Sequence, residues 1–245
     1  MEAEVCFAEG AYCLIEANGV SAFVEGELIA VPMGDGSATA LELEQRKWER
    51  IRREAALPRT PDWERRNIVV WGDSLSTDHG QGASFGDELQ ALLGGTREVV
   101  MQGIPGQDGA QIGDRMLADT RYTGRLQIIW DRHSSSQPFE TYMADMRRMT
   151  DRAVALGDKY VVVSDIPDLD GATDERGALL ASAADDAMVT DRINAALRQQ
   201  YPDNFVDVTA VLSDSSTRTD GLHLKQAGYE AVAKAIAAFV EANAL

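Results

Sequence analysis

From Asn67 onward the chain alternates between two rhythms. Short unbroken apolar runs, "NIVVW", "REVVMQ", "LQIIW", "YVVVSDI" and "NFVDV", are separated by longer stretches in which apolar residues recur every third or fourth position. The first rhythm predicts strands and the second predicts amphipathic helices, near 84–94, 107–119, 138–156, 178–200 and 225–243. Runs of consecutive Val and Ile suit strands buried on both faces, as in a parallel sheet covered by helices. The expected fold is therefore α/β: a three-layer α/β/α sandwich around a five-stranded parallel sheet, flavodoxin-like in outline. Ligands in such sheets sit at the carboxyl ends of the strands.

The first quarter of the chain has a different pattern. Residues 1–36 alternate short apolar runs with glycine, and Asn18-Gly19 is a hairpin signal, so a small β-meander is expected there. A helix is expected over "SATALELEQRKWERIRREAALP", with Ser37 as its cap, Leu41, Leu43, Trp48 and Ile51 as packing residues, and Pro58 after it. "PRTPDWERR" then reads as a linker. These features divide the chain into an accessory segment, 1–60, and a main domain, 61–245.

Composition narrows the function classes. Of 245 residues, 44% are hydrophobic and 26% charged, which is globular composition. The net charge of −17 repels nucleic-acid phosphates and anionic lipid, so neither partner is expected. No apolar run reaches the length of a membrane span, so no membrane insertion is expected. The opening "MEAEVCFAEG" carries acids where a signal peptide needs basic residues, so the expectation is a cytoplasmic chain, or else a mature or phage-borne form. Cys6 and Cys13 are expected as reduced thiols between short strands, with a small local disulfide as the other possibility. His79, His133 and His223 do not cluster with them, and no zinc-type spacing occurs, so no metal is expected.

Four segments at successive strand ends carry candidate chemistry. The first strand stops in Gly72-Asp73-Ser74, where the hydroxyl is either a helix cap or a nucleophile. "MQGIPGQDGAQIGDRML" follows the second strand; Gly103 and Gly106 there allow tight turning and bared amides beside a helix start, suited to an anion. It is neither a G-x-G-x-x-G fingerprint nor a P-loop, which argues against a nucleotide binder of flavodoxin type. "IIWDRHSSSQP" closes the third strand with polar donors, while Trp130 fits the core better than a substrate platform. In "TDGLHLKQAGY", Asp220 and His223 are spaced so that the carboxylate can hold one imidazole nitrogen and leave the other as a base.

Taken together, these segments resemble the SGNH hydrolases, also called the GDSL esterase/lipase family, over about residues 64–245. "GDSLS" matches the family's first block, "QGIPGQDGAQIGDR" is similar to its second, and "DGLHLKQAGY" matches its last. The resemblance implies Ser74 as nucleophile, Asp220 and His223 as its triad partners, and backbone amides of Ser74 and Gly103 as oxyanion donors. Asp73 then shapes the turn. One departure stands out: the family's third block supplies an asparagine to the oxyanion hole, and none occurs here. Aligned without a gap, Ser134 takes that place; shifted by one, His133 does. Loss of one such donor costs about 10² to 10³ in kcat.

The implied activity is a cofactor-independent serine esterase acting on small-molecule or saccharide esters. The wording of the glycine turn is closest to family members that act on acylated carbohydrates, so O-deacetylation is the expected reaction. The competing expectation is a catalytically weakened binding or structural module, with the β-meander as its interaction part. On either reading the N-terminal segment is a route to a homo-oligomer. His79, five residues after Ser74, is expected to be a surface or packing residue.

Overall fold

The computed structural model describes residues 3–6, 13–17, 20–25, 27–32, 66–77, 85–134, 137–169, 181–212 and 215–245. The chain divides into two compact units, Met1–Ala56 and Leu57–Leu245.

In the first unit the backbone forms a four-stranded antiparallel meander. Its strands are β1 (Ala3–Cys6), β2 (Cys13–Ala17), β3 (Val20–Glu25) and β4 (Glu27–Pro32), in the order β1-β2-β3-β4. Cys6 stands opposite Cys13 in the β1–β2 register. The helix expected after Ser37 lies outside the described residues.

The second unit holds β5 (Ile68–Gly72), α1 (Phe85–Leu92), β6 (Val99–Gly103), α2 (Gly109–Ala118), β7 (Leu126–Trp130), α3 (Phe139–Leu156), β8 (Tyr160–Val163), α4 (Ala181–Gln200), β9 (Phe205–Val206) and α5 (Gln226–Ala242). The sheet is parallel with order β6-β5-β7-β8-β9. The order reverses between β5, which starts the sheet, and β7, which pairs on its other side. That switch point opens a crevice at the carboxyl ends of β5 and its neighbours.

Strand periodicity sorts the apolar residues into two cores. Ile68, Val70, Ile128, Trp130, Val161 and Val163 point to one face and pack with α1 and α5. Val69, Trp71, Ile129 and Val162 point to the other and pack with α2, α3 and α4. Both faces are covered, so each strand is buried throughout β5 and β7. Each such side chain contributes about 1.5–3 kcal/mol relative to exposure. Helix ends follow local rules. Asp108 and Gln111 form a reciprocal capping box at the start of α2. Gly157, at φ 67°, ends α3 in the left-handed conformation. β9 is shorter than its apolar run because Asp207 turns the chain, its Oδ1 accepting from the Thr209 N–H at 3.0 Å. Among the described residues no helix is long and apolar enough to cross a membrane.

Candidate active site

The first site residue is set by how β5 ends. After Gly72 the chain tightens into a single 3-10 turn, Ser74–Ser76, rather than entering a long helix. Asp73 caps that turn, its Oδ1 accepting from the Leu75 N–H at 2.8 Å. Asp73 therefore shapes the turn, as expected, and Ser74 is left half-buried at the carboxyl edge of the sheet. Gly72 and Gly103 are both required by close approach. A Cβ on Gly72 would collide with Ser76 and the Trp130 carbonyl; one on Gly103 would lie 2.5 Å from the Ser76 carbonyl oxygen and 2.7 Å from that of Asp73. The Gly103 backbone thus rests directly on the turn that carries Ser74.

The second component is a short hairpin-like turn ahead of α5. Arg218 and Leu224 bridge across it, the Thr219 N–H donates to the His223 carbonyl at 2.8 Å, and the Lys225 N–H donates to Thr217 at 2.8 Å. Within it, Asp220 does two things at once. Its Oδ1 accepts the N–H groups of Leu222 (2.8 Å) and His223 (2.6 Å), closing the turn, and its Oδ2 lies 2.8 Å from His223 Nδ1. A carboxylate only accepts, so Nδ1 carries the proton and Nε2 presents its lone pair. Nε2 lies 3.1 Å from Ser74 Oγ and can accept its hydrogen. Burial works to raise the Asp220 carboxyl, but the hydrogen bonds from the His223 ring, the His223 amide and the Leu222 amide outweigh it and hold it at about 2.

Gly103, at the end of β6, pairs with Gly72 in the parallel register. The Ile104 N–H donates to the Gly72 carbonyl at 3.1 Å. Gly106, at φ 78°, then turns the chain toward the capped start of α2.

The loop after β7 contains His133 and Ser134, the two residues expected at the third block's donor position. His133 is buried, its ring edge-on to Tyr142 with centroids 5.7 Å apart. Its Nε2 lies 2.7 Å from the Gln137 carbonyl oxygen, which can only accept, so this nitrogen holds a proton and spends it on its own loop. The His133 backbone N–H donates to Asp165 Oδ1 at 3.1 Å. Ser134 is half-buried, and its carbonyl accepts from the Gln137 N–H at 2.9 Å. Trp130 lies in the core, its Nε1–H donating to the Ser164 carbonyl at 3.2 Å. His79 lies outside the described residues.

Beneath the site, three carboxyls close the ends of β5, β7 and β8: Asp73, Asp131 and Asp165, all buried. Burial raises each of them. Asp165 is pushed up to about 7 against the opposing effects of the His133 N–H, the Arg132 charge and the Thr190 hydroxyl. Asp131 is also raised well above the usual carboxylate range, by burial first and then by the neighbouring Asp73 and Asp165. Among the described residues, no group of three or more His, Cys, Asp or Glu is placed to hold a metal ion.

Two residues at this site have no counterpart in the sequence reading. Arg218 is buried and donates to the carbonyls of Pro167 (2.7 Å) and Gly221 (2.6 Å), tying the Asp220–His223 turn to the segment after β8. Arg115 of α2 donates to carbonyls at the ends of β5 and β6. A basic side chain aimed at the core side in a strongly acidic chain was the available signal. The strand-end targets are backbone oxygens, which no motif encodes.

No protein-family model matches the sequence, and no curated protein matches it. Solved structures do. A Bacteroides fragilis protein named as an acylhydrolase is 19% identical, with a TM-score of 0.58, covering 86% of this chain and 100% of that one. A Slackia heliotrinireducens protein named as an SGNH hydrolase is 20% identical, with a TM-score of 0.54, covering 71% and 98%. A carbohydrate acetylesterase from Sinorhizobium meliloti is 16% identical, with a TM-score of 0.52, covering 72% and 99%. With its five-stranded parallel sheet in the order given and helices on both faces, the fold of this chain is that of the SGNH hydrolases.

Proposed function

We propose that the second unit is a serine esterase that cleaves carboxylic esters through an acyl-enzyme, with short acyl esters of carbohydrates, acetyl esters first, as its substrate class. The observation that carries this reading is the unbroken chain from Asp220 Oδ2 through His223 to Ser74 Oγ, with steps of 2.8 and 3.1 Å. His223 takes the Ser74 proton as Oγ attacks the ester carbonyl. Asp220, ionised at neutral pH, stabilises the imidazolium that results. The oxyanion is held by the amides of Ser74 and Gly103, with Ser134 as the side-chain donor from the third loop. His223 then returns its proton to the leaving alcohol, and a water molecule, activated by the same imidazole, releases the acid.

The carbohydrate preference rests on the glycine-turn wording and on structural neighbours named as a carbohydrate acetylesterase and as an acetyl-xylooligosaccharide esterase. A weakened, non-catalytic module is the poorer reading, because drift at any of Ser74, Asp220 or His223 would have broken a hydrogen-bond chain that is intact. The test is a series of nitrophenyl esters of increasing acyl length, run beside acetylated sugars, with fluorophosphonate labelling of Ser74. Release of acetate from sugars and fastest turnover of the shortest esters is expected. Failure to label or to cleave any ester would reject the esterase; cleavage favouring long acyl chains would reject the acetyl preference alone.

A further inference from the structure

One guanidinium spans the carboxyl ends of the two strands that build the site. Arg115 Nη1 donates to the Gln102 carbonyl at 2.8 Å and Nη2 to the Gly72 carbonyl at 3.2 Å. Nε donates to Gln107 Oε1 at 2.6 Å, and the guanidinium carbon lies 5.7 Å from the Trp71 ring centroid. Each of these three bonds ends on a neutral oxygen, although the chain carries 40 acidic residues.

We propose that Arg115 is a positioning residue for the oxyanion site, acting through the Gln102–Gly103 peptide. This rests on the esterase reading of Gly103. The carbonyl that Arg115 holds and the N–H assigned to the oxyanion belong to one planar peptide group. A cationic donor on the carbonyl draws electron density toward the oxygen, which strengthens the N–H on the other side as a donor. The same guanidinium fixes the tilt of that plane, so the donor is oriented before charge develops. The bond to Gly72 holds the strand end that leads into the Ser74 turn. Nucleophile and oxyanion donor are thereby kept in one register by one side chain. A residue that only tied strand ends together would affect stability and leave turnover unchanged.

The experiment compares the full-length protein with Arg115→Ala and Arg115→Lys by two readouts. The first is steady-state cleavage of 4-nitrophenyl acetate. Arg115→Ala is expected to lower kcat about tenfold or more, short of the 10² to 10³ that follows outright loss of a donor, with KM within about twofold. An open cavity of about 500 Å3, lined by Trp71, Gln102, Arg115 and Asp119, adjoins the guanidinium. Added guanidinium ion is therefore expected to restore part of the kcat of Arg115→Ala. Arg115→Lys keeps the charge but cannot bridge both carbonyls, so a smaller loss in the same direction is expected; it carries the test if the alanine variant does not fold. The second readout is the Gly103 amide resonance in the resting protein, which needs no turnover and should shift upfield in either variant. An unmoved Gly103 resonance, or a lowered melting temperature with unchanged kcat, overturns the proposal. If the unsubstituted protein cleaves no ester, the esterase reading fails by itself, and the Gly103 resonance alone decides the role of Arg115.

Discussion

His223 Nε2 lies 3.1 Å from Ser74 Oγ, although the two residues are 149 positions apart. The bond joins the end of β5 to the turn before α5, so it is a tertiary contact that neither segment can make by itself. Both ends are held by local capping: Asp73 closes the turn around Ser74, and Asp220 closes the turn around His223. The contact therefore reports two independent turns placed correctly by one sheet.

Ser74→Ala and His223→Ala should each lower ester cleavage by roughly 10⁴-fold or more, because the triad acts as a unit. Asp220→Asn should be less damaging than Ser74→Ala, since it keeps a side chain able to cap the turn. Circular dichroism would confirm that the fold is kept, and nitrophenyl acetate kinetics would measure the loss. Near-normal turnover in Ser74→Ala would remove the nucleophile assignment.

Gly103→Ala should cost kcat on the scale of about 10². The new methyl would press on the Ser76 and Asp73 carbonyls and push β6 away from the Ser74 turn. Overpacking of this kind also costs about 1–3 kcal/mol of stability, so the melting temperature should fall as well. A variant with reduced stability but unchanged kcat would show that the Gly103 amide is not part of the oxyanion site.

The third loop separates two residues. His133 Nε2 is spent on the Gln137 carbonyl, so His133→Ala should loosen the loop by about 1 kcal/mol and raise KM more than it lowers kcat. Ser134→Asn should raise kcat on short esters several-fold, on the way to the roughly hundredfold worth of a full oxyanion donor. Steady-state kinetics of the two single variants decide the matter. If Ser134→Asn leaves kcat within about twofold, the oxyanion rests on backbone amides alone.

Two carboxyls should shape the pH dependence of stability with opposite signs. Asp220 is held at about 2 in the folded state, below the roughly 3.9 of an unfolded Asp, so its contribution is present above about pH 4 and lost as pH falls toward 2. Asp165 is raised to about 7, so between about pH 4 and 7 the folded state holds the extra proton and stability falls as pH rises. Asp73 and Asp131, also raised by burial, add to that decline. Asp165→Asn should flatten the melting temperature between about pH 5 and 7 while leaving a residual slope. An unchanged slope in thermal unfolding across that range would place the effect elsewhere.

The amino-acid sequence by itself determined most of the elements of the second unit and marked the residues to which the proposed chemistry is assigned. Runs such as "IVVW" and "QIIW" suit strands buried on both faces, as in a parallel sheet with helices on each side, and that is the arrangement of β5 and β7. Asp220 and His223 were legible because a three-residue spacing is a local property, and their bond closes within one turn. What the tertiary structure decided depends on groups distant in sequence. The sheet order, with β6 and β7 on opposite sides of β5, follows from packing of whole layers. The ring of His133 turns into its own loop because the Gln137 carbonyl and Tyr142 are there to receive it. Arg115 and Arg218 bind backbone oxygens, and every residue has one, so no pattern of side chains marks them in advance. The raised pKa of Asp165 has the same origin: a carboxyl is perturbed by the loss of water around it, and only the convergence of three strand ends removes that water.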